Sequence, residues 1–488
     1  MSPQVLLVSC VALPLLGAAG ILAAHRRPNL RESVTLITSG ALLALVIELG
    51  LQPHPYAASA VLLYILPSLS VALRLEPLGL LFAVVASALW ILTSVYSIGY
   101  MRGNHETHQT RFYFFFAVSI AAAQGVALAA NLFTLFIFYE VLTLSTFPLV
   151  AHKGTEEARR GARVYLGLLL TTSIAFFLVA MALTWYIAGS LDFVPGGLLA
   201  GKINGGAVLG LLALFLFGIG KAALMPFHRW LPAAMVAPAP VSALLHAVAV
   251  VKAGVFTVLK VTVYIFGLDT LYQTRAADVM IWVAATTLLL ASVTALRKDN
   301  LKARLAYSTI SQLAYVTLGA LLATSMGVVG GAFQIAAHAL GKITLFFCAG
   351  AIYVATHKTE VSELDGLGRT MPFTFAAFFV ASVSIIGMPP LAGSWSKWYL
   401  MLGAAQAGQW PVIVVLLVSS LLSMAYLMPI PLRGFFAGPG NTGFRWEHVR
   451  EAPWTCVVPL CLAALACLAL FFFGGGIERL ILPITGHR

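Results

Sequence analysis

The stretch GIGKAALMPFHRWLPAAMVAPAPVSALLHAVAVVKAGVF, residues 218–256, carries the strongest structural signal in the chain. It is apolar enough for a membrane, yet Lys221, His246 and Lys252 stand inside it and Pro226 interrupts it. Ionised side chains are costly at mid-bilayer, so those that persist there usually face a polar interior and have a function. A proline in a membrane helix can be a simple kink, but beside a buried lysine it favours a broken helix with a site at mid-membrane.

The rest of the chain is similarly apolar. Hydrophobic residues make up 60% of 488 positions and charged residues 9%, against about 25% charged in soluble domains, and the mean hydropathy is +0.94. No polar stretch is long enough for a separate soluble domain, so we expect a single membrane domain, residues 1–488. The net charge of +12 does not indicate nucleic-acid binding, because the basic residues lie singly or in short loop groups.

Apolar stretches of about 20 residues, the length needed to cross a bilayer, recur along the chain and predict fourteen membrane helices. The predicted spans are 4–24, 34–51, 78–100, 111–130, 132–151, 164–188, 207–230, 240–266, 278–297, 304–325, 329–355, 372–401, 410–433 and 453–474. The segment 56–75 is also apolar, but Pro67 and Arg74 interrupt it and LPSLSVALRLE alternates in polarity. We therefore predict a β-hairpin there that does not span the membrane and lies on the outer face.

The distribution of basic residues tests this count, because lysine and arginine favour cytoplasmic loops. With fourteen spans, the odd-numbered loops hold nineteen of the 29 lysines and arginines, and the even-numbered loops hold three. A fifteenth span at 56–75 would reverse the side of every later loop and destroy this asymmetry. We therefore predict a multi-pass protein of a bacterial inner membrane with both termini in the periplasm. The first apolar stretch has its basic residues after it rather than before it, so we expect a membrane helix and not a signal peptide.

Five lysines fall inside the predicted spans: Lys221, Lys252, Lys260, Lys342 and Lys397. Glu140 also lies within a span, and we expect it to form an ion pair with Lys221, the least costly arrangement for two buried charges. A fixed structural pair is the alternative, but it does not explain the further lysines. Lys260 lies near a helix end, where we expect an anchor that reaches the headgroups.

The other buried groups predict a proton path. His246 and Lys252 lie within two turns of one helix, and His338 and Lys342 stand at i and i+4 on one face of another. Histidine titrates near neutrality, and burial in general lowers a lysine pKa toward that range, so such groups can exchange protons. A lone buried histidine is most often a hydrogen-bonded core residue, whereas two on lysine-bearing helices favour a relay.

A second helix is broken at Pro389-Pro390, beside Lys397. Two interrupted helices, each with a lysine inside the membrane, indicate corresponding halves of an inverted repeat. The chain has no cysteine cluster, no haem-ligand pattern and no GxGxxG after a strand, so we expect neither a cofactor nor a metal site on it. We expect the five cysteines to be buried, without a disulfide or metal-binding role.

These residues resemble the motifs of the antiporter-like membrane subunits of respiratory complex I, membrane-bound hydrogenases and Mrp-type multisubunit cation/proton antiporters. The similarity rests on FYEVLTLSTFPLV, the central stretch quoted above, RKDNLKARLAYSTISQLAY, AAHALGKITLFF and GMPPLAGSWSKWYL, which together span residues 131–400. The central stretch looks most similar to the D-type Mrp protein. Only 14 residues follow residue 474, which disfavours the largest complex I member, with its lateral helix.

The resemblance implies an all-α polytopic fold of about fourteen transmembrane helices, with two inverted five-helix repeats and broken helices 7 and 12. The implied repeats are helices 4–8 (residues 111–266) and 9–13 (residues 278–433), flanked by residues 1–110 and 453–488. It further implies that Glu140 pairs with Lys221 near the inlet of a half-channel. Members of the family carry the central group of helix 8 at the position of His246 or of Lys252, and this chain has both.

We therefore predict a proton-translocating subunit of a multisubunit Na⁺ or K⁺/proton antiporter. The predicted relay is Glu140, Lys221, His246, Lys252, His338, Lys342 and Lys397. The alternatives are a proton-pumping subunit of an NADH-quinone oxidoreductase or membrane-bound hydrogenase, a scaffold that has lost its relay, and a carrier that acts alone. Expected partners are other membrane subunits, the lipid bilayer, protons and Na⁺ or K⁺. With no redox site on this chain, any enzyme activity would belong to a complex.

Overall fold

The computed structural model describes residues 1–438 and 449–486, which form a bundle of apolar helices with one small β-hairpin. The helices are α1 (Pro3–Ala23), α2 (Pro28–Gly50), α3 (Pro77–Gly103), α4 (Gln109–Ala127), α5 (Leu132–Val150), α6 (Glu156–Ala188), α7a (Gly205–Gly218), α7b (Trp230–Ala233), α8 (Ala239–Phe266), α9 (Ala277–Leu296), α10 (Leu301–Leu321), α11 (Ser325–Thr356), α12a (Pro372–Ile386), α12b (Gly393–Gln406), α13 (Trp410–Phe436) and α14 (Trp454–Phe472). Short helices Leu268–Thr274 and Gly475–Ile481 lie between or after them.

Each of the fourteen predicted spans coincides with one helix or one broken helix. Eleven helices of the described residues are long and apolar enough to cross a membrane. The other three predicted spans are the broken α7 and α12 and the more polar α10, which buries the hydroxyl and amide groups of Ser308, Ser311 and Gln312. The predicted all-α polytopic architecture is therefore confirmed.

The sixth helix starts earlier than predicted, at Glu156 instead of residue 164. The Thr155 hydroxyl accepts a hydrogen bond from the backbone N–H of Ala158, and Glu156 and Glu157 occupy the first turn. A capping hydroxyl and acidic residues both stabilise a helix N-terminus. The polar first turns therefore continue the helix beyond the apolar stretch on which the prediction rested.

The predicted hairpin at 56–75 is confirmed as β1 (Ser59–Leu66) and β2 (Leu69–Arg74), which pair antiparallel. The backbone of β2 is fixed to the junction of α4 and α5, because the N–H of Arg74 donates to the carbonyl of Leu128 and the N–H of Ala72 donates to the hydroxyl of Thr134. We call the side of the bundle that carries this hairpin the hairpin face.

The loops that follow α9, α11 and α13 meet at one face of the bundle, as expected if successive helices cross the membrane in alternating directions. On the side away from the hairpin, the N–H of Leu301 donates to the carbonyl of Thr359, which joins the α9–α10 loop to the α11–α12 loop. Arg369 of the latter donates to the carbonyl of Phe435, at the end of α13. Two basic residues used in the charge count, Arg445 and Arg488, lie outside the described residues.

Both predicted breaks are present. After α7a the chain forms one 3₁₀ turn, Gly220–Ala222, and is not α-helical again until Trp230. α12a ends at Gly387, whose φ of +89° favours glycine, and the helix resumes at Gly393. The first break packs closely on α8, because a Cβ added at Gly254 would lie 2.4 Å from the carbonyl carbon of Lys221.

The cysteines match their expected role only in part. All five are free, and four are buried, but Cys461 is half-buried. Its side of α14 includes Leu462 and Leu465, both largely exposed on the outer wall of the bundle.

Candidate functional site

Lys221 occupies the break in the seventh helix and has no exposed surface. Its Nζ lies 2.8 Å from the carbonyl oxygen of Tyr139 and donates also to the hydroxyl of Thr143, one turn further along α5. The ammonium stands 3.2 Å above the centroid of the Tyr139 ring. Because α7a has already ended, the backbone N–H of Lys221 is also released, and it donates to the Tyr139 hydroxyl at 3.1 Å.

The expected direct ion pair between Glu140 and Lys221 is wrong. No carboxylate of the described residues lies within 4.0 Å of the Lys221 ammonium, and neither buried carboxylate oxygen of Glu140 has a hydrogen-bond partner there. The reason is helix geometry, since successive residues of a helix point about 100° apart. Tyr139 and Thr143 face Lys221 from α5, whereas Glu140 lies about 100° further round the helix, where its buried carboxylate interacts with Lys221 electrostatically but without a direct contact.

A direct contact joins the eighth and eleventh helices at the centre of the bundle. The ammonium of Lys252, on α8, is hydrogen-bonded to Nδ1 of His338, on α11, and both residues are buried. Lys342 lies one turn beyond His338, and its Nζ donates to the carbonyl of Leu305 at 3.1 Å. His246 is equally buried, but its ring packs on Phe346 and neither ring nitrogen has a partner among the described residues.

Two buried glutamines continue this polar row. Gln334 precedes His338 by four residues on α11, so the two share a face, and its Nε2 donates to Oε1 of Gln312 on α10 at 2.7 Å. Tyr315 follows Gln312 by three residues, and the Lys397 ammonium lies 4.9 Å from the centroid of its ring. The row therefore leads from the Lys252–His338 contact toward the second break.

Lys397 fills the second break in the way that Lys221 fills the first. Its Nζ donates to the carbonyl of Ile386, the last residue of α12a, at 2.6 Å, and to the hydroxyl of Ser420 at 2.7 Å. Each break lysine thus donates to a backbone carbonyl and a hydroxyl and faces a tyrosine ring. The tyrosines, Tyr139 on helix 5 and Tyr315 on helix 10, occupy corresponding helices of the two predicted repeats.

The electrostatic feature common to these groups is a shortage of counter-charge. Among the described residues, none of the four lysines of the row has a carboxylate within ion-pair distance. Their partners are instead carbonyls, hydroxyls and one imidazole. A buried cation held only by neutral groups is not locked in its charged form as an ion pair would lock it. The four lysines are Lys221, Lys252, Lys342 and Lys397.

The prediction that Lys260 is an anchor at the headgroups is wrong. Lys260 has no exposed surface, and its Nζ lies 3.1 Å from a carboxylate oxygen of Glu76 and 2.6 Å from the carbonyl oxygen of Ala129. The physical reason is the loop between α6 and α7a, which folds over the end of α8. The N–H of Leu198 and the N–H of Leu199 in that loop donate to the last carbonyls of α8.

The sequence alone does not identify several of the groups that contact the buried lysines. Tyr139, Thr143 and Tyr315 carry no charge, and their importance lies only in facing a lysine from another helix. Gln334 had a usable signal, because FQIAAHALGK places Gln334, His338 and Lys342 at intervals of four on one helix face.

Two known protein families match regions of this chain. The family described as "NADH:quinone oxidoreductase/Mrp antiporter, TM" matches residues 129–423, and "NADH-Ubiquinone oxidoreductase (complex I), chain 5 N-terminus" matches residues 67–113. The first of these covers all seven residues of the predicted relay and both breaks.

Curated relatives come from both branches of this family. The N-type protein of the NADH-quinone oxidoreductase of Desulforudis audaxviator is 31% identical over 426 residues, 83% of each chain. The D-type protein of the Na(+)/H(+) antiporter of Alkalihalophilus pseudofirmus is 28% identical over 342 residues, 70% of this chain and 68% of that one. The chain spans about half or less of some longer relatives, such as the A/B-type protein of a probable K(+)/H(+) antiporter of Rhizobium meliloti, of which 43% is covered at 31% identity.

The fold is also that of a solved structure. A chain of the Mrp complex from Dietzia sp. DQ12-45-1b superposes with a TM-score of 0.88 at 23% identity, covering 99% of this chain and 97% of that chain. The matched family, the relatives and the shared fold agree: the chain belongs to the NADH:quinone oxidoreductase/Mrp antiporter family of antiporter-like membrane subunits.

Proposed function

We propose that this protein translocates protons as one membrane subunit of a multisubunit Na⁺ or K⁺/proton antiporter in a bacterial inner membrane. The observation that carries the proposal is the Lys252–His338 contact at the centre of a row of four buried lysines without carboxylate partners. A fixed structural cation would keep an ion-pair partner, because an unpaired buried charge is strongly destabilising. Lysines held by neutral groups can instead change their charge and pass a proton on.

The order of the groups along the row follows from their contacts. A proton that reaches Lys221 at the first break would pass to Lys252, whose backbone is close because Gly254 packs on Lys221. Lys252 shares a hydrogen bond with His338, and Lys342 extends the same helix face by one turn. From His338, the Gln334–Gln312 pair and associated water lead to Lys397.

A second way into the row, which leads to Lys252 rather than to Lys221, starts on the face opposite the hairpin. A cavity of about 440 Å³ opens there between the loops after α5, α9 and α11, and Lys153 and Lys302 line it. Lys302 donates to the carbonyl of Ala237, just before α8 begins. His246 lies on α8 between this cavity and Lys252, which supports a role for it as an auxiliary group on the way in.

Partner subunits follow from the walls of the bundle. Val141 and Leu144 form an exposed apolar face of α5, and Lys397 lines an apolar groove whose wall includes Trp398 and Leu421, 52% and 64% exposed. Both faces suit neighbouring membrane helices. The Mrp complex from Dietzia, whose chain shares this fold, is consistent with such an assembly.

The alternative is a proton-pumping subunit of a redox complex, and the NADH-quinone oxidoreductase relative from Desulforudis audaxviator favours it. The two functions differ in what drives the proton. An antiporter complex moves protons when Na⁺ or K⁺ is added to vesicles, whereas a redox pump moves them when its electron donor is oxidised.

The test uses the complete complex in inside-out membrane vesicles, with a pH-sensitive dye as the readout. Wild-type vesicles should lose a preformed pH gradient when Na⁺ or K⁺ is added, and Lys221→Ala and Lys252→Ala should each reduce the rate at least tenfold. Lys202→Ala is the matched control, because Lys202 is exposed in a loop. Wild-type rates from both buried-lysine variants, in correctly assembled complex, would overturn the proposal.

A further inference from the structure

A second cluster of charged groups lies at the hairpin-face end of α8, away from the row that ends at Lys397. Arg74 donates to one carboxylate oxygen of Glu76 at 2.7 Å, and the Lys260 ammonium lies 3.1 Å from the other. Arg74 also donates to the carbonyl of Phe193 at 2.8 Å, and Lys260 stands 3.9 Å from the centroid of the Phe193 ring.

Lys260 and Glu76 are buried within the protein, whereas Arg74 is partly exposed, 31% of its side chain being accessible. Lys260 has no exposed surface and Glu76 is 6% exposed. The α6–α7a loop covers the end of α8, and the hairpin brings Arg74 and Glu76 to it from the other side. Three separate segments thus enclose one carboxylate and two cations.

A large cavity reaches this cluster from the hairpin face. Its volume is about 860 Å³, and Arg74, Glu76 and Tyr264 line it. The Tyr264 hydroxyl is buried and has no hydrogen-bond partner among the described residues. The wall of the cavity is largely apolar but carries these charged and hydroxyl groups, and a space of this size holds several water molecules beside the unpaired hydroxyl and the Glu76 carboxylate.

The count of charges makes Lys260 the variable member of the cluster. Arginine stays protonated in proteins, so Arg74 already balances the charge of Glu76. Asp269 and Arg479 also line the cavity and contribute one charge of each sign. The protonation state of Lys260 therefore decides whether the cluster carries a net positive charge.

The cluster is joined to the central row by its own helix. Lys252 and Lys260 are eight residues apart on α8, which corresponds to a rise of about 12 Å. A file of three or four hydrogen-bonded water molecules, with oxygens about 2.8 Å apart, would span this rise, and the buried hydroxyl of Thr257 lies between the two lysines along the helix.

We infer that Lys260, Glu76 and the cavity above them form a proton outlet on the hairpin face, fed from Lys252 and separate from the route to Lys397. A proton arriving at the Lys260 amine is passed to the Glu76 carboxylate, and from there to water in the cavity; no bond other than N–H and O–H is made or broken. The inference rests on the proposed proton transport and names one of its exits.

The first test compares variants of the complete complex in vesicles. Glu76→Gln keeps the size of the side chain but cannot accept the proton, and we expect a transport rate reduced at least fivefold at unchanged assembly. Lys260→Gln should behave likewise. Asp192→Asn is the control, because Asp192 is an exposed carboxylate on the same face. Full rates from Glu76→Gln and Lys260→Gln, alongside inactive Lys221→Ala, would overturn the outlet and leave the proposed function standing.

The second test separates proton transfer from a structural clamp. Glu76→His replaces the carboxylate by a base that still binds and releases protons but cannot form the ion pairs with Arg74 and Lys260. We expect the transport rate of Glu76→His to exceed that of Glu76→Gln at least threefold, at unchanged assembly. If Glu76→His is assembled but as slow as Glu76→Gln, the cluster is a clamp that holds the hairpin, and the outlet is rejected.

Discussion

At the scale of single residues, what distinguishes the buried lysines is the partner that each one has. Lys252 contacts an imidazole, a group that can itself accept a proton, whereas Lys221 and Lys397 contact carbonyls and hydroxyls that only orient them. The sequence placed both His246 and Lys252 in the central position. The geometry gives the direct contact to Lys252.

We therefore expect unequal effects from the two candidates on the eighth helix. Lys252→Ala should abolish ion-driven proton flux, because it removes the group that contacts His338. His246→Gln should retain at least a third of the wild-type rate, because its ring nitrogens have no partner to lose among the described residues. Initial rates of dye fluorescence recovery in vesicles measure both. An inactive His246→Gln beside an active Lys252→Ala would reverse the assignment.

Thr143 should be as important for the transport rate as a charged residue of the row. Its hydroxyl is one of two groups that hold the Lys221 ammonium, and losing a hydrogen bond to a charged group costs about 1.5–3 kcal/mol. Thr143→Val should slow transport roughly tenfold or more if that energy is lost at the rate-limiting step. Thr184→Val is the control, since the Thr184 hydroxyl bonds only to its own helix. Equal rates from the two variants would show that the hydroxyl is dispensable.

At the scale of elements, the break in the seventh helix is packed tightly against α8. The closest approach of their backbones is at Gly254, where any side chain would meet Lys221 and Ala222. The position of Lys221 therefore depends on a residue that carries no functional group.

Gly254→Ala should destabilise the fold and disturb transport together. Overpacking a well-packed contact costs about 1–3 kcal/mol, and here the added methyl group meets backbone, which cannot rotate away. We expect a lower melting temperature of the detergent-solubilised complex and a reduced rate. Gly210→Ala, on exposed α7a with nothing within 4 Å of the added Cβ, is the control. A Gly254→Ala protein as stable and active as that control would contradict the close packing.

The elements could be predicted from the sequence more fully than the contacts. Apolar stretches and prolines locate the spans, the hairpin and both breaks, because these depend on local composition. The partners of Lys260 and Glu140 depend on how distant segments pack. Lys260 is covered by a loop that comes earlier in the chain, before α7a, and the lack of a direct contact between Glu140 and Lys221 depends on how α5 is rotated against the first break. Neither of these arrangements can be predicted from the residues next to Lys260 or Glu140 in the sequence.

At the scale of the whole molecule, the two faces of the bundle differ in structure. The hairpin and the larger cavity lie on one face, and the opposite face carries most of the basic loops and the smaller cavity. Because basic loops favour the cytoplasm, the hairpin face is predicted to be periplasmic.

Reporter fusions at each end of the chain test this orientation. An even number of crossings places both termini on one side, so alkaline phosphatase fused at either end should be active and green fluorescent protein should be dark. A fusion in the α9–α10 loop, near Lys298, should give the reverse result. Termini on opposite sides would require an odd number of spans and would overturn the predicted topology.

The shortage of carboxylates around the lysine row also affects how steeply the transport rate depends on pH. Buried ammonium groups without counter-charges repel one another, and Lys252 and Lys342 are close enough to interact electrostatically, so each charge that forms hinders the next. Proton uptake by the row is therefore spread out and anticooperative. As the pH falls, the transport rate should rise with a Hill slope below one, whereas a slope of one would mean that the lysines fill independently and a steeper slope that they fill in concert.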